Sequence, residues 1–216
     1  MKPKAFVLAA TAAAALAITA LAAAALVVGT PGDDVLRGTE QADEIRALTG
    51  NDAVYARGGA DLVRAGSGDD GIRAAAGNDL AYGGYGRDVL AGGDGNDRLY
   101  GGSDGDTVSG GNGNDRASGN KGADVVSGND GNDSLFGGWG ADRVFGGAGN
   151  DELYALAPDG EPDVLDCGPG QDKAFVLRSE RPQTRLVGCE QVVVVDAPTA
   201  DQDEGENSVA DAEADG

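Results

Sequence analysis

The stretch GNDGNDSLFGGWGADRVFGGAGNDELY, residues 128–154, consists of three nine-residue segments that align without a gap. Each has glycine at its first and fourth positions, aspartate at its sixth, and leucine or valine at its eighth. Cutting the chain every nine residues in this phase carries the pattern back to Gly29, which gives fourteen consecutive nonapeptides over residues 29–154. A short fixed period is typical of solenoids, so the sequence predicts a repeat architecture.

Each position of the nonapeptide has a physical role. The sixth position is aspartate in all fourteen repeats, and the eighth is leucine, isoleucine or valine in twelve. Glycines at positions one, two and four predict a turn in which the backbone adopts positive φ. Positions seven to nine predict a three-residue strand whose eighth side chain points into a narrow core and whose ninth points outward. One repeat cannot bury its aliphatic side chain alone, so neighbouring repeats must stack.

A second period of eighteen residues lies over the first. From Asp79 onward, alternate repeats end their turns in Gly-Asn-Asp, and the repeats between them carry other residues before the aspartate. This alternation predicts a coil of two strands and two turns, with like turns stacked along each edge. The aspartates of the Gly-Asn-Asp edge are Asp79, Asp97, Asp115, Asp133 and Asp151.

These GGxGxDxUx units resemble the RTX, or haemolysin-type, calcium-binding repeat family. The resemblance covers residues 29–154 and implies an all-β fold, a right-handed parallel β-roll that binds Ca²⁺ between like turns of successive coils. It implies that turn carbonyls and sixth-position aspartates are the ligands. The sequence departs from the family where alanine replaces the first glycine in four consecutive repeats, which is expected to weaken the sites there: Ala47, Ala56, Ala65 and Ala74.

The predicted calcium ligands are the aspartates of both edges, since Ca²⁺ prefers carboxylate and carbonyl oxygens and Mg²⁺ demands a tighter octahedral shell. The alternative for each aspartate is a turn-forming residue that bonds its own backbone. The Gly-Asn-Asp edge is predicted to be strongest, Asp52 and Asp61 weaker, and Asp34 and Asp43 weakest. The other edge contributes Asp70, Asp88, Asp106, Asp124 and Asp142. The turn backbone is assigned to Gly93, Gly95, Gly111, Gly113, Gly131, Gly147 and Gly149.

Charge and composition exclude several functions. The formal net charge is −21 and the chain has no histidine. The absence of histidine excludes Ser-His-Asp and Cys-His catalysis and histidine-ligated metals. Strong negative charge disfavours binding to nucleic acid phosphates. No candidate catalytic motif stands apart from the repeats, so we expect a chain that is not an enzyme.

The N-terminus resembles an export signal. Lys2 and Lys4 precede an uncharged, mostly apolar segment from Ala5 to Val28, and Ala23-x-Ala25 is a candidate cleavage site. Residues 1–28 are therefore predicted to be a signal peptide cut near residue 25. The alternative is a retained membrane anchor. Either way we expect the rest of the chain outside the cytoplasm, secreted or associated with the cell surface, whereas many members of the family that the repeats resemble are exported by a C-terminal signal.

The segment after the repeats contains both cysteines. A three-residue insertion, residues 155–157, shifts the phase before two degenerate repeats and two apolar runs. Residues 155–195 are predicted to cap the open end of the solenoid, with a disulfide between Cys167 and Cys189 that an oxidising compartment would preserve. Two free buried thiols are the alternative. Residues 196–216 are predicted to be a disordered acidic tail.

Three classes of function compete. The first is calcium binding by a non-catalytic structural or binding module that folds when calcium binds. The second is a cell-surface adhesin, a glycan-binding protein that uses an outward stripe of ninth-position residues; an ice-binding surface belongs to the same class, but the chain lacks its regular threonine ladder. The simpler interpretation of the stripe is a cross-strand ladder that stabilises the sheet. The third class, an enzyme, is disfavoured because the carboxylates lie in repeat turns. The stripe is Tyr82, Tyr100, Ser118, Phe136 and Tyr154.

Overall fold

The structure is a computed structural model that describes residues 7–9, of which only the backbone is considered, and residues 24–196. Within these ranges the regular structure is entirely β, and no helix is present that could cross a membrane. Most of the predicted signal peptide and the acidic tail beyond Asp196 lie outside the described residues.

The strands form two parallel sheets, numbered here in chain order. Sheet A contains β1 (Val7–Ala9), β2 (Leu26–Val28), β4 (Glu44–Thr49), β6 (Leu62–Ser67), β8 (Leu80–Tyr85), β10 (Arg98–Ser103), β12 (Arg116–Lys121), β14 (Ser134–Trp139), β16 (Glu152–Ala155), β18 (Lys173–Leu177) and β20 (Gln191–Val195). Sheet B contains β3 (Val35–Arg37), β5 (Ala53–Gly58), β7 (Gly71–Ala76), β9 (Val89–Asp94), β11 (Thr107–Asn112), β13 (Val125–Asp130), β15 (Arg143–Ala148), β17 (Val164–Asp166) and β19 (Arg185–Val187).

The chain alternates between the two sheets, so each coil contributes one strand to each. Along sheet A, for example, Tyr82 pairs with Tyr100 and Tyr100 with Ser118, a spacing of eighteen residues. This confirms the predicted all-β solenoid and its eighteen-residue coil, which makes about nine turns. Like turns therefore stack into two edges. The turns that lead into sheet A strands form one edge, which holds the Gly-Asn-Asp turns from Asp79 to Asp151. The turns that lead into sheet B strands form the other edge.

The strands are longer than predicted. From β4 to β15 each contains six residues, positions seven to three of the next repeat, rather than the three residues around position eight. The prediction failed because it assumed that paired glycines end a strand. Here the stacked coil above repeats the same bend, so the ladder register continues through it, as in the pairing of Gly84 with Gly102.

The interior is a stack of aliphatic layers. Eighth-position residues such as Leu90, Leu99 and Leu135 are fully buried. First-position residues point to the same side, because they lie two residues further along the strand. Burying one aliphatic side chain per repeat stabilises the fold by roughly 2 kcal/mol. This is a small stabilisation for a repeat in which nine residues are ordered.

The three glycine positions differ in their roles. Positions two and four have positive φ, as at Gly93 (117°) and Gly95 (137°), and the same holds for all seven turn glycines assigned from the sequence. The prediction is wrong for position one, since Gly92 lies outside the positive-φ region. Glycine is therefore required at position one because a β-carbon has no room there, and not because of the backbone angle. At position two, Arg57 and Ala75 adopt a φ of 86°, a strained conformation for residues with a β-carbon.

The solenoid extends beyond residues 29–154 at both ends. Strand β2 adds pairing before Gly29, and β17 to β20 continue both sheets after the insertion. The spacing is twenty-one residues from β15 to β17, from β16 to β18 and from β17 to β19, and it returns to eighteen from β18 to β20. Residues 155–195, predicted as a cap, are thus built largely as further coils of the same sheets. The predicted disulfide is present: Cys167, after β17, bonds Cys189, after β19, with an S–S distance of 2.01 Å.

Candidate metal centre

The sixth-position aspartates form two buried ladders, one along each edge. They point inward and are at most 6% exposed. In each ladder the backbone N–H of one aspartate donates to Oδ1 of the aspartate one coil further on. Asp79 donates in this way to Asp97, Asp97 to Asp115 and Asp115 to Asp133, each at 2.8 Å. From Asp43 onward, one carboxylate oxygen of each ladder aspartate is therefore committed to holding two coils together.

The other carboxylate oxygen, Oδ2, is buried and has no hydrogen-bond partner in the described part of the chain. This applies to thirteen aspartates of the two ladders. A buried acceptor without a partner costs about 1–3 kcal/mol, and more when it is charged. The thirteen include every ligand predicted as strong or weaker: Asp52, Asp61, Asp70, Asp79, Asp88, Asp97, Asp106, Asp115, Asp124, Asp133, Asp142 and Asp151, together with Asp172.

In the repeats that begin with glycine, position one lies so close to this oxygen that a β-carbon would have no room beside it. A β-carbon built on Gly92 would collide with Oδ2 of Asp97 and lie 2.6 Å from the carbonyl oxygen of Gly110 in the next coil. A β-carbon on Gly128 would meet Oδ2 of Asp133 in the same way. The space beside the first-position glycine is thus lined by a carboxylate oxygen and by a carbonyl oxygen of the next coil.

Further carbonyls approach the glycines of positions two and four. A β-carbon on Gly95 would collide with the carbonyl oxygen of Gly77, and one on Gly113 with that of Gly95. Each turn therefore presents main-chain oxygens toward the turn stacked on it. Within the described residues no three acidic side chains converge on one point. A cation held here would accordingly take its oxygens from one or two carboxylates and from turn carbonyls, the mixed donor set that Ca²⁺ accepts.

Burial governs the charge state of the ladders. It raises the pKa of Asp106 to about 8, against an opposing effect of the Asp88 N–H bond, and the charges of Asp88 and Asp124 raise it further. Burial likewise raises the pKa of Asp133 to about 7 and of Asp97 to about 6. A carboxylate that resists ionisation gains most from a neighbouring cation.

Comparison with protein-family models agrees with this geometry. The model of the RTX calcium-binding nonapeptide repeat matches in four copies, over residues 28–63, 48–81, 82–117 and 118–153. Together these matches span more than half of the chain. The chain belongs to the RTX calcium-binding repeat family. No individual curated protein matches it.

The first two RTX repeats differ from the rest. Oδ2 of Asp34 accepts hydrogen bonds from the N–H and the hydroxyl of Thr30, and Oδ2 of Asp43 accepts the N–H of Thr39. The backbone N–H at position two, joined at Asp34 by the threonine hydroxyl, thus satisfies the oxygen that is left without a partner elsewhere. These are the two aspartates predicted from the sequence to be the weakest calcium ligands.

Four RTX repeats have a methyl group in place of the first-position glycine. Ala47, Ala56, Ala65 and Ala74 are fully buried, so each of these repeats packs a methyl group where the other repeats have only a glycine hydrogen. Three of these repeats hold Asp52, Asp61 and Asp70. The fourth holds Asp79, the first aspartate of the Gly-Asn-Asp series. Its repeat begins with alanine, whereas the repeats of Asp97 and of the later aspartates in the series begin with glycine.

Sequence reasoning missed the continuation of the ladders past the regular RTX repeats. The N–H of Asp142 donates to Oδ1 of Asp163, that of Asp151 to Oδ1 of Asp172, and that of Asp172 to Glu190. The available signal was an aspartate directly before an aliphatic pair, as in Asp163-Val164-Leu165, but the insertion removed it from the nine-residue phase.

The Gly-Asn-Asp edge of the RTX roll carries a second, exposed ladder. The N–H of Asn96 donates to the side-chain oxygen of Asn78, and Asn114, Asn132 and Asn150 repeat the bond, at 2.7–2.8 Å. The side chain at position five therefore pins each turn to the next. On the other edge the same bond is present in the first coils, from the N–H of Asn51 to Asp33, of Asp69 to Asn51 and of Arg87 to Asp69.

The predicted aromatic stripe is one row on the outer face of sheet A. Tyr82 stacks on Tyr100, with ring centroids 5.2 Å apart, and Phe136 stacks on Tyr154 at 4.4 Å, which stacks on Phe175 at 4.6 Å. Stacked rings cover one another's faces, which favours the cross-strand ladder over a platform for sugars.

Proposed function

We propose that this RTX protein is an exported, non-catalytic module that binds Ca²⁺ through its ladder aspartates and turn carbonyls, and that it folds as calcium binds. The observation that carries the proposal is the set of thirteen buried Oδ2 oxygens without a partner. A bound cation would neutralise them and supply the missing interaction, and the protein's part would be to hold carboxylates and carbonyls at fixed spacing on stacked turns.

The donor chemistry supports calcium over other metals. The chain has no histidine, and its two cysteines are joined, which removes the ligands preferred by softer metals. All remaining donors are oxygens on backbone turns and short side chains. Mg²⁺ keeps several waters in a strict octahedron, which a buried turn of this kind does not offer.

Replacement of Asp115 by alanine is expected to weaken calcium binding more than replacement of Asp43. Asp115 has an Oδ2 without a partner, whereas that of Asp43 already accepts the Thr39 N–H. We expect at least one fewer calcium ion bound, or an affinity reduced about tenfold, for Asp115→Ala in isothermal titration, and little change for Asp43→Ala.

Gly110→Ala crowds the Asp115 carboxylate without removing it. A β-carbon there would collide with Oδ2 of Asp115 while leaving the carboxylate in the chain. Ala65→Gly is the matched reverse change, in a repeat that already carries the methyl. We expect the first to lower and the second to raise calcium affinity. Equal losses for Asp43→Ala and Asp115→Ala would contradict the assignment.

The mature chain is expected to begin near Leu26. Small residues at Ala23 and Ala25 suit signal peptidase, and a cut after Ala25 would leave β2, which starts at Leu26, intact. Intact-mass measurement of material exported by a host cell tests this. A mass that retains residues 1–25 would indicate the membrane anchor instead.

A catalytic role and an adhesin role gain no support from the site. Ladder carboxylates have one oxygen in a coil-to-coil hydrogen bond, so they are poorly placed as acid–base pairs. The stripe rings cover each other. A hydrolase panel and a glycan array on the calcium-loaded chain are expected to be negative.

A further inference from the structure

The C-terminal end of the solenoid presents an uncovered apolar strand. β20 is the last strand of sheet A and pairs only with β18 in the described part of the chain. Its sequence is QVVVV, and Val192, Val193 and Val194 are 41%, 36% and 37% exposed. An apolar edge strand without charges invites pairing with another strand.

Two of these valines are core residues that lack a following coil. Val192 pairs in register with Ala174, and Val194 with Val176. Ala174 and Val176 are completely buried, because β20 covers them. Nothing among the described residues covers Val192 and Val194 in turn, and Leu186 of the neighbouring β19 is only partly buried.

This end is also electrically balanced, unlike the rest of the rod. Residues 178–196 contain three arginines and three acidic residues, a net charge of 3 − 3 = 0. Residues 29–154 contain 22 acidic and ten basic residues, a net of 10 − 22 = −12. Two copies that meet through this end avoid the repulsion that any contact between their sides would cause.

We propose that this end binds a second copy of the chain end to end, with the two β20 strands antiparallel across a twofold axis. A twofold contact matches the valines and the balanced charge of one copy with those of the other. The chain's own last twenty residues are a poorer cover, since they hold seven acidic residues and Val209 as their one aliphatic side chain larger than alanine. The opposite end is a poorer partner, since residues 29–46 carry five acidic and two basic residues.

Sedimentation velocity of the full mature chain in millimolar calcium tests the proposal. We expect a monomer–dimer equilibrium in the wild type and a monomer in the double variant Val192→Asp/Val194→Asp. Val193→Lys points outward and leaves the core intact, and it should weaken the dimer at least about tenfold. Val89→Asp is the matched control: Val89 is 56% exposed but lies on the side of sheet B, so the dimer should persist.

Circular dichroism of each variant identifies any that fails to fold, and Val193→Lys then decides. A monomeric wild type at every concentration would overturn the proposal. So would species that grow beyond the dimer, which indicate head-to-tail stacking. Dimerisation only after truncation at Asp196 would show that the tail occupies this end, and this too would refute the twofold contact.

Discussion

Removal of calcium at neutral pH is expected to abolish the β-sheet structure of the mature chain. Each buried Oδ2 without a partner costs about 1–3 kcal/mol. Thirteen such oxygens together cost about 13–39 kcal/mol, which equals or exceeds the 5–15 kcal/mol by which domains are usually stable. One aliphatic side chain per repeat cannot offset this, since ordering each residue costs about 1–2 kcal/mol of backbone entropy. We therefore expect calcium binding to supply the folding free energy.

The measurement is circular dichroism of the mature chain in chelator, followed by addition of millimolar calcium. Sites with dissociation constants of about 10⁻⁴ to 10⁻³ M would suffice at that concentration. Magnesium at the same concentration is the control for divalent charge, and sodium chloride at matched ionic strength is the control for screening; neither should restore the spectrum. A complete β-spectrum in chelator, unchanged by calcium, would refute calcium-driven folding.

Acidification of the calcium-free chain is expected to restore structure that neutral pH removes. Burial raises the pKa of the ladder aspartates from 3.8 in the unfolded chain to about 6 at Asp52 and about 8 at Asp142. A group whose pKa is raised on folding stabilises the fold below the unfolded value and loses this contribution as pH rises through the folded value. The window therefore runs from about pH 4 to about pH 8, with stability falling as pH rises.

The expected effect is large because many groups act in the same direction. One pKa unit corresponds to about 1.4 kcal/mol, and fourteen ladder aspartates have raised pKa values, with burial as the leading cause in each. Three carboxylates act oppositely, since hydrogen bonds lower the pKa of Asp69, Glu152 and Glu190. They are too few to reverse the trend.

Two titrations at constant ionic strength check this. In chelator, the β-signal should rise as pH falls from 8 toward about 4, with light scattering to exclude aggregation as the charge falls. In calcium, the signal should be high at neutral pH, and bound calcium should leave as protons compete for the carboxylates. A chelated chain that loses residual structure on acidification would contradict the assignment of raised pKa values to the ladders.

Much of this protein could be predicted from its sequence because the determinants are local. Asp97 and Asp115 are eighteen residues apart and face the same chemical requirement, so the period is visible in the residues themselves. Asn96 and Asn114 mark which turns stack. The two cysteines allowed a single intramolecular pair, and the structure contains it.

Other features depended on what lies one coil away, and no single repeat encodes that. Position one is glycine because the aspartate of its own turn and a carbonyl of the next coil occupy the space, as Gly92 shows, and not because of its φ. Strands run to six residues because stacked neighbours bend together. Asp163 and Asp172 continue the ladders although the insertion places them outside the nine-residue phase.

The sequence by itself determined the repeat, the solenoid and the phase of its aspartates, since turn angles, side-chain size and alternation act within nine or eighteen residues. Only the tertiary structure decided which carboxylate oxygens are satisfied. Stacking commits Oδ1 of Asp97 to the N–H of Asp79 and leaves Oδ2 buried without a partner, and a threonine two residues into the turn reverses this at Asp34. Hydrogen bonding and burial are properties of assembled coils, so they appear only when the coils are in contact.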